Sequence, residues 1–142
     1  MESSEKSNLI FKIKETLNKE AEKREQKISW SGRYDTPHFF IEPLKTMGQI
    51  KTTNAPFPWI GLTNEQYKNR RENNLYFLII IDTMWNQRVV IPLQIVTMNV
   101  ITKVGYGYSF GIKRENRRYR IHRTSVYLDN YIENFDLLFK PN

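Results

Sequence analysis

Along residues 4–26 apolar positions recur at helical spacing. Leu9, Ile10, Ile13, Leu17 and Ala21 form one stripe, with Ser3 or Ser4 as the cap and Glu5 in the first turn. The period then drops to two. Residues 28–34 and 38–45 read as strands around an Asp35-Thr36-Pro37 turn, and Phe39, Phe40, Ile41 and Leu44 supply core. Lys45–Gly48 turns the chain into a third strand, 48–53, which completes an antiparallel meander. Residues 54–61, with Pro56 and Pro58, read as a loop whose Trp59 is expected to plug the core, the alternative being that it stacks on a base. Thr63-Asn64-Glu65-Gln66 is a capping box that opens a helix over 64–73. Leu75–Ile81 is apolar at every position, as a central parallel strand buried on both faces is. Strand 48–53, the helix and strand 75–82 thus make a right-handed crossover. Residues 89–96 read as a strand at or near an edge, because Pro92 cannot donate to a ladder. Val100–Val104 extends the sheet or begins a connection, and Gly105, Gly107 and Gly111 mark bends among aromatics. Lys113–Arg123 reads as a half-buried strand with one basic face after a Glu115-Asn116 turn, and Val126–Leu138 as a closing helix.

The chain has 142 residues, which suits one domain over 1–142: a core at about 4–96, then the basic strand and C-terminal helix at 105–139. It contains no cysteine, which removes disulfides and thiolate metal sites. No apolar run approaches the roughly 20 residues that span a bilayer. Glu2 and Glu5 stand where an apolar signal region would begin, so a cytoplasmic setting without membrane contact is expected. A net charge of +7 points to anionic partners, of which nucleic acid is the commonest.

Gln49 and Lys51 are two residues apart on a strand, so they project to one face while Ile50 takes the other. An amide oxygen and an ammonium so placed can meet a phosphate and its metal together. The order helix, three-strand meander, helix, buried strand resembles the core of the PD-(D/E)xK nuclease superfamily, and Gln49-Ile50-Lys51 resembles the Gln-x-Lys variant of Mrr-type restriction endonucleases. The resemblance covers residues 4–96 and implies a restriction-endonuclease-like α/β fold, bordering on α+β, with a mixed central sheet and flanking helices. It further implies a Mg²⁺-dependent nuclease that hydrolyses phosphodiester bonds, DNA first, and that can dimerise with its own kind. Asp35 and Gln49 would then be the metal ligands, with Lys51 as the catalytic cation. Many relatives carry Pro-Asp-Phe where this chain reads Pro37-His38-Phe39. On that alignment His38 replaces the metal-binding acid and the fold serves binding alone; Glu42 is a further option for the acid.

The basic segment stands apart from the resemblance. Lys113, Arg114, Arg117, Arg118, Arg120 and Arg123, opposed there by Glu115 alone, suit phosphate contacts, the five arginines above all, and interleaved tyrosines suit unpaired bases. The sequence therefore leaves three expectations: a Mg²⁺-dependent endonuclease, an inactive nuclease-like module that binds nucleic acid, and a structural or protein-interaction subunit.

Overall fold

A computed structural model describes residues 3–63, 75–99, 102–104 and 107–140. The helix expected over 64–73, Gly105 and Val100 lie outside the described residues. The chain is α/β bordering on α+β, with a mixed five-stranded sheet and a smaller second sheet.

Helix α1 spans Ser3–Lys23. Its stripe is the one its periodicity predicts, since Ile10, Ile13, Leu17 and Ala21 are all buried and Leu9 packs beside them. Each buried Ile or Leu here stabilises the fold by about 1.5–3 kcal/mol. The helix stops three residues earlier than expected. Glu25 takes a left-handed φ of 57°, Glu25 N–H donates to the Glu22 carbonyl at 3.1 Å, and Gln26 N–H donates to the Ala21 carbonyl at 2.8 Å. These paired bonds satisfy carbonyls that a longer helix would have used.

The meander forms in the expected order: β1 (Lys27–Arg33), β2 (Thr36–Glu42) and β3 (Thr46–Thr53), each antiparallel to the next. Its turns fall earlier than expected, at Tyr34-Asp35 and Pro43–Lys45, so Thr36-Pro37 and Thr46–Gly48 belong to strands. The chain then makes β4 (Trp59–Thr63), where a continuous loop was expected. It returns as β5 (Tyr76–Asp82), parallel to β3 and buried at every position. Next comes β6 (Gln87–Pro92), antiparallel to β5 and last in the order β1-β2-β3-β5-β6. Pro92 thus sits at a sheet edge, as its missing N–H requires. The strand ends there, and Leu93–Asn99 is helix α2 rather than more strand.

β4 belongs to the second sheet, with β7 (Thr102–Val104) and β8 (Gly107–Glu115), in the order β4-β8-β7. Strand β9 (Arg118–Ile121) pairs with β8 through a two-residue turn. That turn is Asn116-Arg117, with φ of 50° and 64°, one residue later than Glu115-Asn116. Two left-handed residues match the twist of a tight hairpin.

Three layers result. Alternate residues of the large sheet, among them Phe39, Ile41, Ile50, Phe77, Ile79 and Ile81, pack against α1. The opposite parity, Tyr76, Leu78, Ile80, Val89 and Ile91, packs against Ile60, Leu62, Phe110, Ile112, Tyr119 and Ile121 of the second sheet.

The closing helix is a correction. Residues 126–138 form two 3₁₀ turns, Asp129–Tyr131 and Phe135–Leu138, with isolated bridges at Arg120↔Tyr127 and Val89↔Ile132. Backbone bonds to other strands replace helical ones: Leu128 N–H donates to the Tyr119 carbonyl at 3.0 Å and Glu133 N–H to the Arg88 carbonyl at 2.7 Å. A left-handed Glu133, φ 55°, breaks any helical run between them.

Candidate functional site

Two adjoining polar regions sit at the interface of the sheets. The first is the face of β3 turned towards the second sheet. Gln49 and Lys51 share it, while Ile50 is fully buried on the α1 side. Gln49 is 9% exposed, and its Nε2 donates to the Thr36 carbonyl at 3.4 Å. Lys51 Nζ donates to the Gly61 carbonyl of β4. Burial pushes the Lys51 ammonium below its ordinary range. Asp35 lies in the β1–β2 turn, where Arg33 Nε stands 3.2 Å from its Oδ1. That contact is an ion pair without hydrogen-bond alignment. The residue directly across from Gln49 is not Asp35 but His38. His38 also packs on Gly32, where an added Cβ would lie 2.6 Å from its ring.

The second region is centred on Asp82, at the C-terminal end of β5 and 2% exposed. Its Oδ2 accepts from Arg114 Nε at 2.9 Å and from the Tyr119 hydroxyl at 2.6 Å. Its Oδ1 accepts from Arg114 Nη2 at 2.7 Å and from Met84 N–H at 3.0 Å. Burial alone would push the carboxyl up; the hydrogen bonds from Arg114 and Tyr119, with the guanidinium charge, outweigh it and hold Asp82 below its ordinary value. Hydrogen bonding to Asp82 raises Arg114, and burial first, then Asp82, raises Tyr119. Arg114 also donates from Nη1 to the carbonyls of Ala55 at 2.8 Å and Pro56 at 3.0 Å. The guanidinium is thereby spent inside the protein, its side chain 6% exposed. Of the five arginines expected to contact phosphate, this one instead holds the 54–58 segment onto the end of β5.

The other four arginines stand differently. Arg118 pairs with Asp129, Nη2 to Oδ2 at 2.8 Å, and lies 3.7 Å from the Tyr127 ring centroid. Arg120 pairs with Glu115 and donates to the Thr124 carbonyl at 2.8 Å. Both guanidinium groups are raised, chiefly by their carboxylate partners. Arg117 and Arg123 are exposed, and among the described residues neither side chain enters an ion pair or hydrogen bond. Lys113 Nζ stands 3.5 Å from Glu115.

Trp59 does not plug the core. It is 54% exposed, because the β4 pattern buries Ile60 and Leu62 and turns Trp59, Gly61 and Thr63 outward. It lies 5.5 Å from the Phe57 ring and 5.8 Å from His122, and Phe57 meets His122 edge-on at 4.8 Å.

Asp82, and the strand that begins at Trp59, are what reading the sequence overlooked. A carboxylate closing a strand buried on both faces must find a partner, and Trp59-Ile60-Gly61-Leu62-Thr63 has the alternation of a strand.

Comparison with protein-family models, with curated proteins and with solved structures gave no match for this chain. No helix among the described residues is long and apolar enough to cross a membrane.

Proposed function

We propose that this protein binds nucleic acid, DNA in the first instance, as a nuclease-like module whose acidic positions are replaced. The observation that carries the reading is the β2–β3 register, which sets His38 of Pro37-His38-Phe39 opposite Gln49. Where a metal-dependent nuclease of the resembled family carries acids, this pair offers an imidazole and an amide. The order α1, meander, crossover, parallel β5 supports the resemblance, and the +7 charge with exposed arginines supports a polyanionic partner.

Mg²⁺-dependent hydrolysis is the second reading, favoured by Gln49 and Lys51 sharing one face. The donors do not fit the ion as they stand. Mg²⁺ asks for hard, charged oxygen ligands, yet Asp35 is ion-paired with Arg33 and Gln49 directs its nitrogen at Thr36. Among the described residues no three His, Asp or Glu side chains gather as a metal group.

Lys51→Met separates the readings. As a binding module the protein leaves labelled single- and double-stranded DNA intact with Mg²⁺ or Mn²⁺. The variant then keeps its affinity within about twofold, with stability within about 1 kcal/mol of the parent. Metal-dependent cleavage that the substitution abolishes would reinstate the nuclease.

A further inference from the structure

We propose that the solvent face of the second sheet, around Trp59, docks single-stranded DNA, with an unpaired base stacked on the indole. The proposal rests on the nucleic-acid reading above and adds the surface and the strandedness.

Trp59 of β4, Gly111 of β8 and His122, the residue after β9, form one row. Trp59 pairs with Gly111, and His122 N–H donates to the Gly111 carbonyl at 2.9 Å. Phe57 and His122 cover that glycine so closely that an added Cβ would lie 2.9 Å from the Phe57 ring and 3.1 Å from His122. The indole is therefore braced by two rings while half of it faces solvent. The brace is itself anchored, since Arg114 grips the carbonyls of Ala55 and Pro56 immediately before Phe57. An exposed, fixed indole stacks on any base that is not already paired.

The charges on the same side of the sheet suit the phosphates of such a strand. Lys113 and Arg120 are cross-strand partners, as are Glu115 and Arg118. Of the acids here, Asp129 makes an exposed pair with Arg118, which is weak and exchanges readily for phosphate, while Glu115 holds Arg120 in a half-buried pair. Arg117 immediately precedes β9 and Arg123 follows its end by two residues. Six residue steps therefore separate them, at most about 20 Å at ~3.3 Å per residue, a reach of no more than about six stacked nucleotides at ~3.4 Å each. Both arginines have left-handed backbones, φ 64° and 65°, positions that glycine or asparagine fills at lower cost.

The test is fluorescence anisotropy with a labelled thymidine 12-mer, a duplex of the same length and a uridine 12-mer. The wild type is expected to bind the thymidine strand most tightly. Trp59→Ala should weaken that binding about 5- to 150-fold, the range for one stacked base. Arg117→Gly and Arg123→Gly should each flatten the log–log salt slope by about 0.7 while raising the melting temperature, since glycine relieves the backbone. A wild type that binds with a steep salt slope but is indifferent to all three substitutions would overturn this surface and leave the nucleic-acid reading standing. Absence of binding would end both. Tighter binding to the duplex or to the uridine strand would equally contradict the proposal.

Discussion

Asp82→Ala is expected to lose about 3–5 kcal/mol of folding stability, because it strands a buried guanidinium without its carboxylate. Arg114 is held by Asp82 through two bonds, and the Tyr119 hydroxyl loses its acceptor in the same step. Equilibrium urea unfolding measures the loss. Asp82→Leu combined with Arg114→Met and Tyr119→Phe should recover most of it, since apolar groups of similar volume replace a buried polar cluster at little cost. If the single substitution costs less than about 1 kcal/mol, the cluster is not what closes the two sheets together. The same group sets an acid limit. Its folded-state value lies below the ordinary carboxylate value, so its contribution is fully present above that ordinary value. It is lost as the pH falls below about 4 towards the depressed value. Stability of the wild type should therefore drop in that window, and Asp82→Asn should remove this part of the pH dependence.

Gly48→Ala is expected to cost about 3 kcal/mol, at or past the upper end for overpacking a core. A Cβ at Gly48 would lie 2.3 Å from the Phe77 carbonyl oxygen and 2.5 Å from the Phe39 ring. Phe39 could swing aside, but Phe77 O belongs to the backbone of the parallel β5, so β3 and β5 would have to separate. Because β3 carries Gln49 and Lys51, the substitution should also loosen the contact between Lys51 and the Gly61 carbonyl. Urea unfolding of Gly48→Ala, set against Gly61→Ala, provides the check. Added bulk at Gly61 meets no atom within 4 Å and should cost little.

What the sequence disclosed, and what it hid, follows from how far apart the interacting residues lie. Helix α1 and the meander were legible because their signals are local: a stripe from Leu9 to Ala21, a turn signal at Asp35, and an unbroken apolar run before Asp82. The parallel pairing of β3 with β5 was legible too, since a strand buried on both faces belongs at the centre of a sheet. The segment 126–138 misled because Tyr127, Tyr131, Phe135 and Leu138 fall near helical spacing, while its backbone partners sit on β9 and β6. Tertiary pairing overrode a weak local pattern. β4 was hidden by Pro56 and Pro58, which read as loop and obscure the short alternation that begins at Trp59. For the candidate site, the shared face of Gln49 and Lys51 could be read from parity alone. The pairing of Asp82 with Arg114 could not, because 32 residues separate them and only the register of two different sheets brings them together. Counting Arg114 among phosphate-binding cations was the natural reading of a charge cluster, and burial reverses it.

The dependence of DNA affinity on salt tests the central claim most directly. For the wild type and a single-stranded 12-mer, the logarithm of the binding constant should fall linearly with the logarithm of salt concentration. Four phosphate contacts, from Arg117, Arg118, Arg120 and Arg123, give a slope of about −3 at ~0.7 per contact. The oligonucleotide should be recovered intact after incubation with Mg²⁺. A slope near zero, or binding no tighter than that of an unrelated protein of equal charge, would contradict the account.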